Sequence, residues 1–348
     1  MNVLKDLSTE IPDTNSFHWN FDEFSCDDGI SLAVGYRSLE RSANLKNQCS
    51  DENCNLVLFN NWAPCEYGQA KVFQNIDAVR GEDHFDNVLT ICPYTAKWRN
   101  SNSVCKKYIY SFYPYSRSIV PTTFKKKYDV IYHGGIHGKE HVAALKVMQK
   151  YKYRYSSLDF GINRLTRKSL RYATDVNLPF QEKISRISEC KISIGFNLIH
   201  VSRSHLANIR NYSRALPDDA DFFYGLKYTG LFKNWPWVGV LPQFKTRIHE
   251  AAISRTVNLV YRDPWNVIED YYQPSKEFIY FSSDEDLDSK IRWVLDNWDS
   301  SEIQDLIESA FIKASRYTTE NFMARYSAVL SSRCPEKHVN FGCSSFWE

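Results

Sequence analysis

The chain has 348 residues, 43% of them hydrophobic, and a formal net charge of +2. That length suits two domains, the apolar share excludes global disorder, and the near-neutral balance gives no case for nucleic acid or an anionic membrane as partner. No apolar run reaches the ~20 residues that span a bilayer, the opening MNVLKDLSTEIPDTN lacks the apolar stretch of a signal peptide, and nine cysteines occur without a C-x-x-C. A soluble, cytoplasmic protein with free thiols and no integral membrane segment is expected. Aromatic residues make up 15%, a surplus that serves sugar sites and plain cores alike.

In chain order, SLAVGYRSLERSANL (31–45) follows Asp-Asp-Gly with apolar residues at helical spacing and predicts a helix. CNLVLFNNW (54–62) and NVLTICPY (87–94) predict strands, and YIYSFYPYS (108–116) an extended segment. SRSIVPTTFKKK (116–127) has no periodicity and marks a linker, its lysine run a solvated stretch. Beyond it YDVIYHGG is a strand ending in glycines, GKEHVAALKVMQKY a helix, YRYSSLDFG a strand and LPFQEKISRISEC a helix. KISIGFNLIHV (191–201) then reads as one strand, SRSHLANIRNY as a helix and WPWVGVLPQ as a strand. FKTRIHEAAISR is a helix, TVNLVYRD a strand, PWNVIEDYY a helix, EFIYF a strand and DEDLDSKIRWVLDNW a helix. A last long helix covers 301–331, and 332–348 reads as a tail. Strands alternating with helices predict an α/β fold with parallel, doubly wound sheets.

Three stretches carry chemistry. In KTRIHEAA, Phe244, Ile248, Ala251 and Ala252 form the stripe that packs on a sheet, which sets Arg247 and Glu250 on the face away from it. A phosphate near Lys245, Thr246 and Arg247 fits a helix start beyond a strand's carboxyl end, and Glu250 one turn deeper suits the two hydroxyls of a ribose. The same spacing also serves an exposed Arg247–Glu250 ion pair, worth a few tenths of a kcal/mol. In HGGIHGK, Gly134 and Gly135 let backbone approach a ligand, although the stretch is neither a P-loop nor a full G-x-G-x-x-G and also suits a tight turn. DDADF, with Asp219 and Asp221, and DED, with Asp284 as a helix cap, contain the Asp-x-Asp that can hold a divalent cation, or simply caps and turns.

K-T-R-I-H-E-A-A, an apolar strand, P-S-K-E-F-I-Y-F, D-L-D-S-K-I-R-W-V-L and Y-T-T-E-N-F-M-A-R-Y together resemble the C-terminal half of CgeB-like, group-1 glycosyltransferases of the GT-B type. The resemblance covers about residues 128–326 and is strongest from Lys245 onward. It implies two Rossmann-like domains facing each other across a cleft. Residues 1–120 would form an acceptor-side domain, 121–127 a linker and 128–300 the nucleotide-sugar-binding domain, with 301–331 crossing back to the first domain. It implies a nucleotide-diphosphate sugar as donor, a glycan or other hydroxyl acceptor, and neither metal nor further cofactor. Glu250 would bind the ribose, Lys245 and Arg247 would face the diphosphate, and Gly134 and Gly135 match the family's glycine turn.

Three departures accompany it. Pro242 stands where the family has the first glutamate of E-x7-E, Arg255 replaces a usual glycine, and the N-terminal region shows no glycine-ended first strand. Arg255 implies either an ordinary helix end or a contact of its own. Asp28, in C-D-D-G, is the first candidate for the acceptor-side base, followed by Glu66 and His84; Asp28 equally suits a helix cap. Two other functions fit the same architecture: a nucleotide-sugar isomerase or hydrolase with His133 or His137 as base, and a non-catalytic nucleotide- or sugar-binding module.

Overall fold

The computed structural model describes residues 30–34, 55–60, 62, 67, 78–92, 95–96, 99–100, 108–157, 164–202, 237–263 and 265–322. The chain divides into two compact units: Met1–Tyr113 with Val201–Leu226 and Glu320–Glu348, and Pro114–His200 with Lys227–Thr319.

The first unit contains β1 (Ile30–Val34), β2 (Asn55–Asn60), α1 (Ala78–Glu82), β3 (Asn87–Thr90) and β4 (Tyr108–Tyr110). The four strands pair in parallel in the order β1-β2-β3-β4. Val57, Leu58, Val88, Leu89 and Tyr108 are fully buried, as continuous apolar strands of a parallel sheet must be. The helix expected at 31–45 is overturned at its start. ISLAV is a strand, with Leu32 opposite Val57, because a short β-branched run finds a parallel partner that periodicity cannot reveal. Gly35 follows this strand in the sequence.

Below α1 lies a closed polar cluster. Glu82 is fully buried and accepts hydrogen bonds from Asn60 Nδ2 (2.7 Å), Tyr67 OH (2.5 Å), Tyr108 OH (2.8 Å) and Arg99 Nε (3.2 Å). Burial raises its carboxyl above the ordinary value, outweighing Arg99 and the phenols.

The second unit is built on β5 (Tyr128–His133), α2 (Lys139–Met148), β6 (Tyr153–Ser157), α3 (Arg164–Ser169), β7 (Asp175–Val176), α4 (Phe180–Ser188) and β8 (Cys190–Gly195). It continues with β9 (Leu198–Ser202), β10 (Trp237–Pro242), α5 (Arg247–Ile253), β11 (Val257–Tyr261), β12 (Ile279–Phe281), α6 (Asp284–Asp296) and α7 (Ser301–Ala314). Its six-stranded sheet runs β12-β11-β8-β5-β6-β7, all parallel. The strand order reverses between β5 and β8, which makes that pair's carboxyl ends the switch point where ligands bind in such sheets. Alternation along β5 splits the core. Val130 and Tyr132 pack with α2, α6 and α7, whereas Ile131 packs with Ile184, Ile187 and Ala251 of α4 and α5. Helices therefore cover both faces.

Several expectations need correction. Residues 191–201 are two strands, broken at Phe196–Asn197. There the Asn197 carbonyl accepts from Gln243 N (2.9 Å) and its Oδ1 from Lys245 N (3.0 Å), so this residue leaves the ladder to hold the segment entering α5. PWNVIEDYY forms only one 3-10 turn, Val267–Asp270, after Asn266 in the left-handed region (φ 51°). The long helix is interrupted after Ala314: a 3-10 turn over Ser315–Tyr317 and an extended Thr318, bridged to Tyr115, separate it from helical residues 319–322, and 323–331 lie outside the described residues. α3 and β7 had no reading in the sequence. Ser283, not Asp284, caps α6, accepting from Asp286 N (3.1 Å), while Asp286 Oδ2 accepts from Ser282 N (2.8 Å). The lysine run is only partly solvated. Lys126 donates to Ser254 O (3.1 Å) and Thr256 Oγ1 (3.3 Å), and burial pulls its pKa down to about 7.

Arg255 takes both a special backbone and a contact of its own. Its φ is 51°, the left-handed position after α5. Thr256 N bonds back to Ala251 O and Arg255 N to Ala252 O, both at 3.1 Å, the pattern that usually selects glycine. The strain is offset by a guanidinium 4.2 Å from the Phe311 ring centre and paired with Glu308. The expectation of an ordinary helix end fails.

Candidate functional site

At the switch point β5 ends in His133 and Gly134, and β8 in Gly195. Gly195 lets α5 lie close: a Cβ there would meet Ile248 Cδ1 at 2.6 Å. Ile248, fully buried, thus fixes the rotation of α5, and with it the places of Arg247 and Glu250.

Arg247 reaches back over the turn. Gly134 has φ +133°, and a Cβ built on it would stand 2.7 Å from both terminal nitrogens of the guanidinium. Only glycine accommodates both that backbone and that neighbour. The guanidinium also lies 5.4 Å from the centre of the Tyr132 ring, and Tyr132 OH donates to Gly135 O (2.8 Å), which pins the turn. Arg247 Nη1 is buried without a hydrogen-bond partner among the described residues. A buried, unsatisfied cationic donor is costly unless an anion completes it.

Glu250 is 6% exposed, which overturns its placement on an outer face; α4 covers it. Its Oε1 accepts from Lys183 Nζ (3.0 Å) and, at the limit of hydrogen-bond distance, from Thr246 Oγ1 (3.4 Å). Its Oε2 stands 2.8 Å from His133 Nε2. Burial alone would raise this carboxyl. The Lys183 ammonium and then His133 outweigh it and hold Glu250 below the ordinary carboxylate range. Among the described residues no Arg247–Glu250 pair forms; the two side chains serve different neighbours.

Thr246 occupies the position before α5 without capping it, and Lys245 Nζ bonds Gln243 Oε1. The structure therefore brings Gly134, Gly135, Lys245, Thr246, Arg247 and Glu250 to one crevice edge, with Lys183 and Asn197 added. No local pattern announces those two: the Lys183–Glu250 contact spans 67 residues of chain. His137, His141 and His200 line the neighbouring turn, with ring centres 5.1 to 6.3 Å apart. Burial, then the fields of His200, Lys245 and Arg247, lower His137 to about 3; burial lowers His133 to about 4 despite Glu250. Both are neutral at pH 7.

Asp28, Glu66, Asp219 and Asp221 lie outside the described residues. His84 sits in the turn after α1, its backbone N bonded to Gly81 O. A separate cavity of 390 Å³ between α2 and α6 is lined by residues such as Lys139, Tyr261, Phe281 and Asp284, and by neither Arg247 nor Glu250. No described helix is long and apolar enough to cross a membrane.

No protein-family model matches the chain, and no curated protein does. Solved structures do. HepE of Anabaena, in complex with UDP, aligns with a TM-score of 0.54 at 9% identity over 86% of this chain and 78% of its own. The sucrose-phosphate synthase of Thermosynechococcus elongatus aligns at 0.52 and 10% identity, over 86% and 72%. An S. aureus TarM variant in complex with fondaparinux, alpha-GlcNAc-glycerol and UDP aligns at 0.51 and 10% identity over 87% of this chain; the chain spans only 55% of TarM. At these identities the likeness speaks for the fold: an α/β protein of parallel sheets, similar to GT-B glycosyltransferases over most of its length.

Proposed function

We propose that this protein is a CgeB-like glycosyltransferase that moves a sugar from a nucleoside diphosphate to a hydroxyl acceptor. The observation that carries the reading is the Arg247 guanidinium laid over Gly134 at the switch point, with a buried, unpartnered donor. A diphosphate placed against Gly134 and Gly135 supplies the missing acceptor, with Lys245 and Thr246 beside it. The ribose then falls on the Glu250 side of α5. HepE and the TarM variant, both solved with UDP, make uracil the first base to test.

In the reaction the acceptor oxygen attacks the anomeric carbon, the carbon–oxygen bond to the diphosphate breaks, and the diphosphate leaves with the electron pair. Arg247 and Lys245 stabilise the charge that gathers there, a role fixed cations can fill without a metal. The acceptor hydroxyl gives its proton to a base from the first unit, with Asp28 the first candidate. Donor-only turnover with His133 as base is the weaker reading, because an imidazole held near pKa 4 accepts a proton poorly at neutral pH.

A thermal-shift panel of UDP, GDP, ADP and dTDP, with EDTA or with Mn²⁺, tests the reading. It expects one diphosphate to raise Tm in EDTA, by about 2.7 kcal/mol of stabilisation at a hundredfold excess over Kd. No shift with any of them overturns it.

A further inference from the structure

Resting on the nucleotide reading above, the state of Glu250 has a consequence for how the ribose enters. Three protein groups already surround this carboxylate: Lys183 at 3.0 Å and Thr246 at 3.4 Å on Oε1, and His133 at 2.8 Å from Oε2. A ribose hydroxyl can reach it only where one of them withdraws. His133 is fixed in a sheet strand, with its side chain 7% exposed, and Thr246 sits on the backbone that begins α5. Lys183 differs. Its ammonium, 4.4 Å from the Phe180 ring centre while it bonds Glu250, ends a flexible four-carbon stem from α4, and its side chain is 24% exposed, so it can swing toward solvent.

We infer that Lys183 is a built-in competitor for the nucleotide's ribose: its ammonium occupies the Glu250 oxygen that the ribose hydroxyls need, and must leave as they arrive. The ion pair neutralises a buried carboxylate while the site is empty, and breaking it subtracts from the affinity of the incoming nucleotide. The neutral imidazole of His133 does not compete in this way, since it can stay on Oε2 while Oε1 changes partner.

The test is titration calorimetry with UDP and with uridine, which lacks the phosphates and isolates the ribose end. The full chain is compared with Lys183→Met, which keeps an apolar stem of similar length and removes the charge. Lys183→Met is expected to bind both about fivefold tighter, the scale of a partly exposed ion pair, while its own melting temperature falls. Lys183→Arg restores a charge and should return the affinity toward the original value. If Lys183→Met melts too low to titrate, Lys183→Gln takes its place with the same expected sign. Weaker or unchanged binding of both ligands by the charge-free variant, with the unaltered protein binding UDP, overturns the competitor and leaves the nucleotide site standing. Failure of the unaltered protein to bind UDP overturns both.

Discussion

The two units each bury a glutamate, and the two are held in opposite ways. Glu82 is closed in by Asn60, two phenols and Arg99, all tightly packed, and burial lifts its carboxyl above the ordinary range. Glu250 has a partly exposed ammonium and an imidazole instead, and is pulled below that range. The first arrangement is complete and has nothing to offer a ligand. The second stands beside the Arg247 guanidinium, whose buried Nη1 has no hydrogen-bond partner among the described residues, in the crevice where a doubly wound sheet reverses its order. A buried charge is thus informative about function through the completeness of its surroundings rather than through its burial.

The comparison can be broken in stability first. Glu82→Ala takes the acceptor from the buried Tyr67 and Tyr108 hydroxyls and leaves the Arg99 charge without its carboxylate, and is expected to cost roughly 3–5 kcal/mol in denaturant unfolding. A loss under 1 kcal/mol would mean the cluster is not closed. Glu250→Ala should cost less, about 2 kcal/mol, because Lys183 can turn to solvent. It should also weaken UDP binding, measured by calorimetry on the folded variant. A cost equal to that of Glu82→Ala would erase the distinction between the clusters.

Smaller still is Gly134→Ala. A side chain at φ +133° that also pushes the guanidinium aside should cost about 1 kcal/mol of stability and reduce UDP affinity. Retained affinity would place the phosphates elsewhere.

The last test is in pH. His133 and His137, lowered to about 4 and 3 by burial, stay neutral in the folded chain where the unfolded chain protonates them near 6.5. The unfolded state then binds more protons, so the second unit loses stability as pH falls from about 6.5 toward 4. Glu250, depressed, contributes above the ordinary glutamate value of 4.5 and loses that contribution as pH falls further. Glu82, raised, has the opposite sign: its contribution is present below 4.5 and lost as pH rises through its folded value. Hydrogen exchange should therefore show protection falling in β5 and α5 before β2 and β3 on acidification. Equal loss in both units would contradict these assignments.

Much of the second unit was legible because its strands and helices alternate at periods a linear reading can count. β5, α2, α4, β11 and α6 all stand where their patterns placed them. β1 was misread because Leu32, Tyr36 and Leu39 recur at i, i+4 and i+7 as in a helix, and its partner β2 lies 25 residues away. The break at Asn197 was invisible because its cause, the Gln243–Lys245 segment, is 46 to 48 residues distant. Of the candidate site, the residues were offered by the sequence and their surroundings were not. KTRIHEAA named Arg247 and Glu250, but the burial of Glu250 depends on Lys183 and His133, which approach through the fold. Asp28 and the acceptor side remain a proposal.

The most direct test of the central claim is calorimetric titration of UDP against the protein and against Arg247→Ala in EDTA. The unaltered protein is expected to bind. Arg247→Ala should bind about tenfold or more weakly, as loss of a charge-assisted contact implies, with its melting temperature nearly unchanged. Equal affinities, or no binding by the unaltered protein, would contradict a diphosphate site built on Arg247 and Gly134.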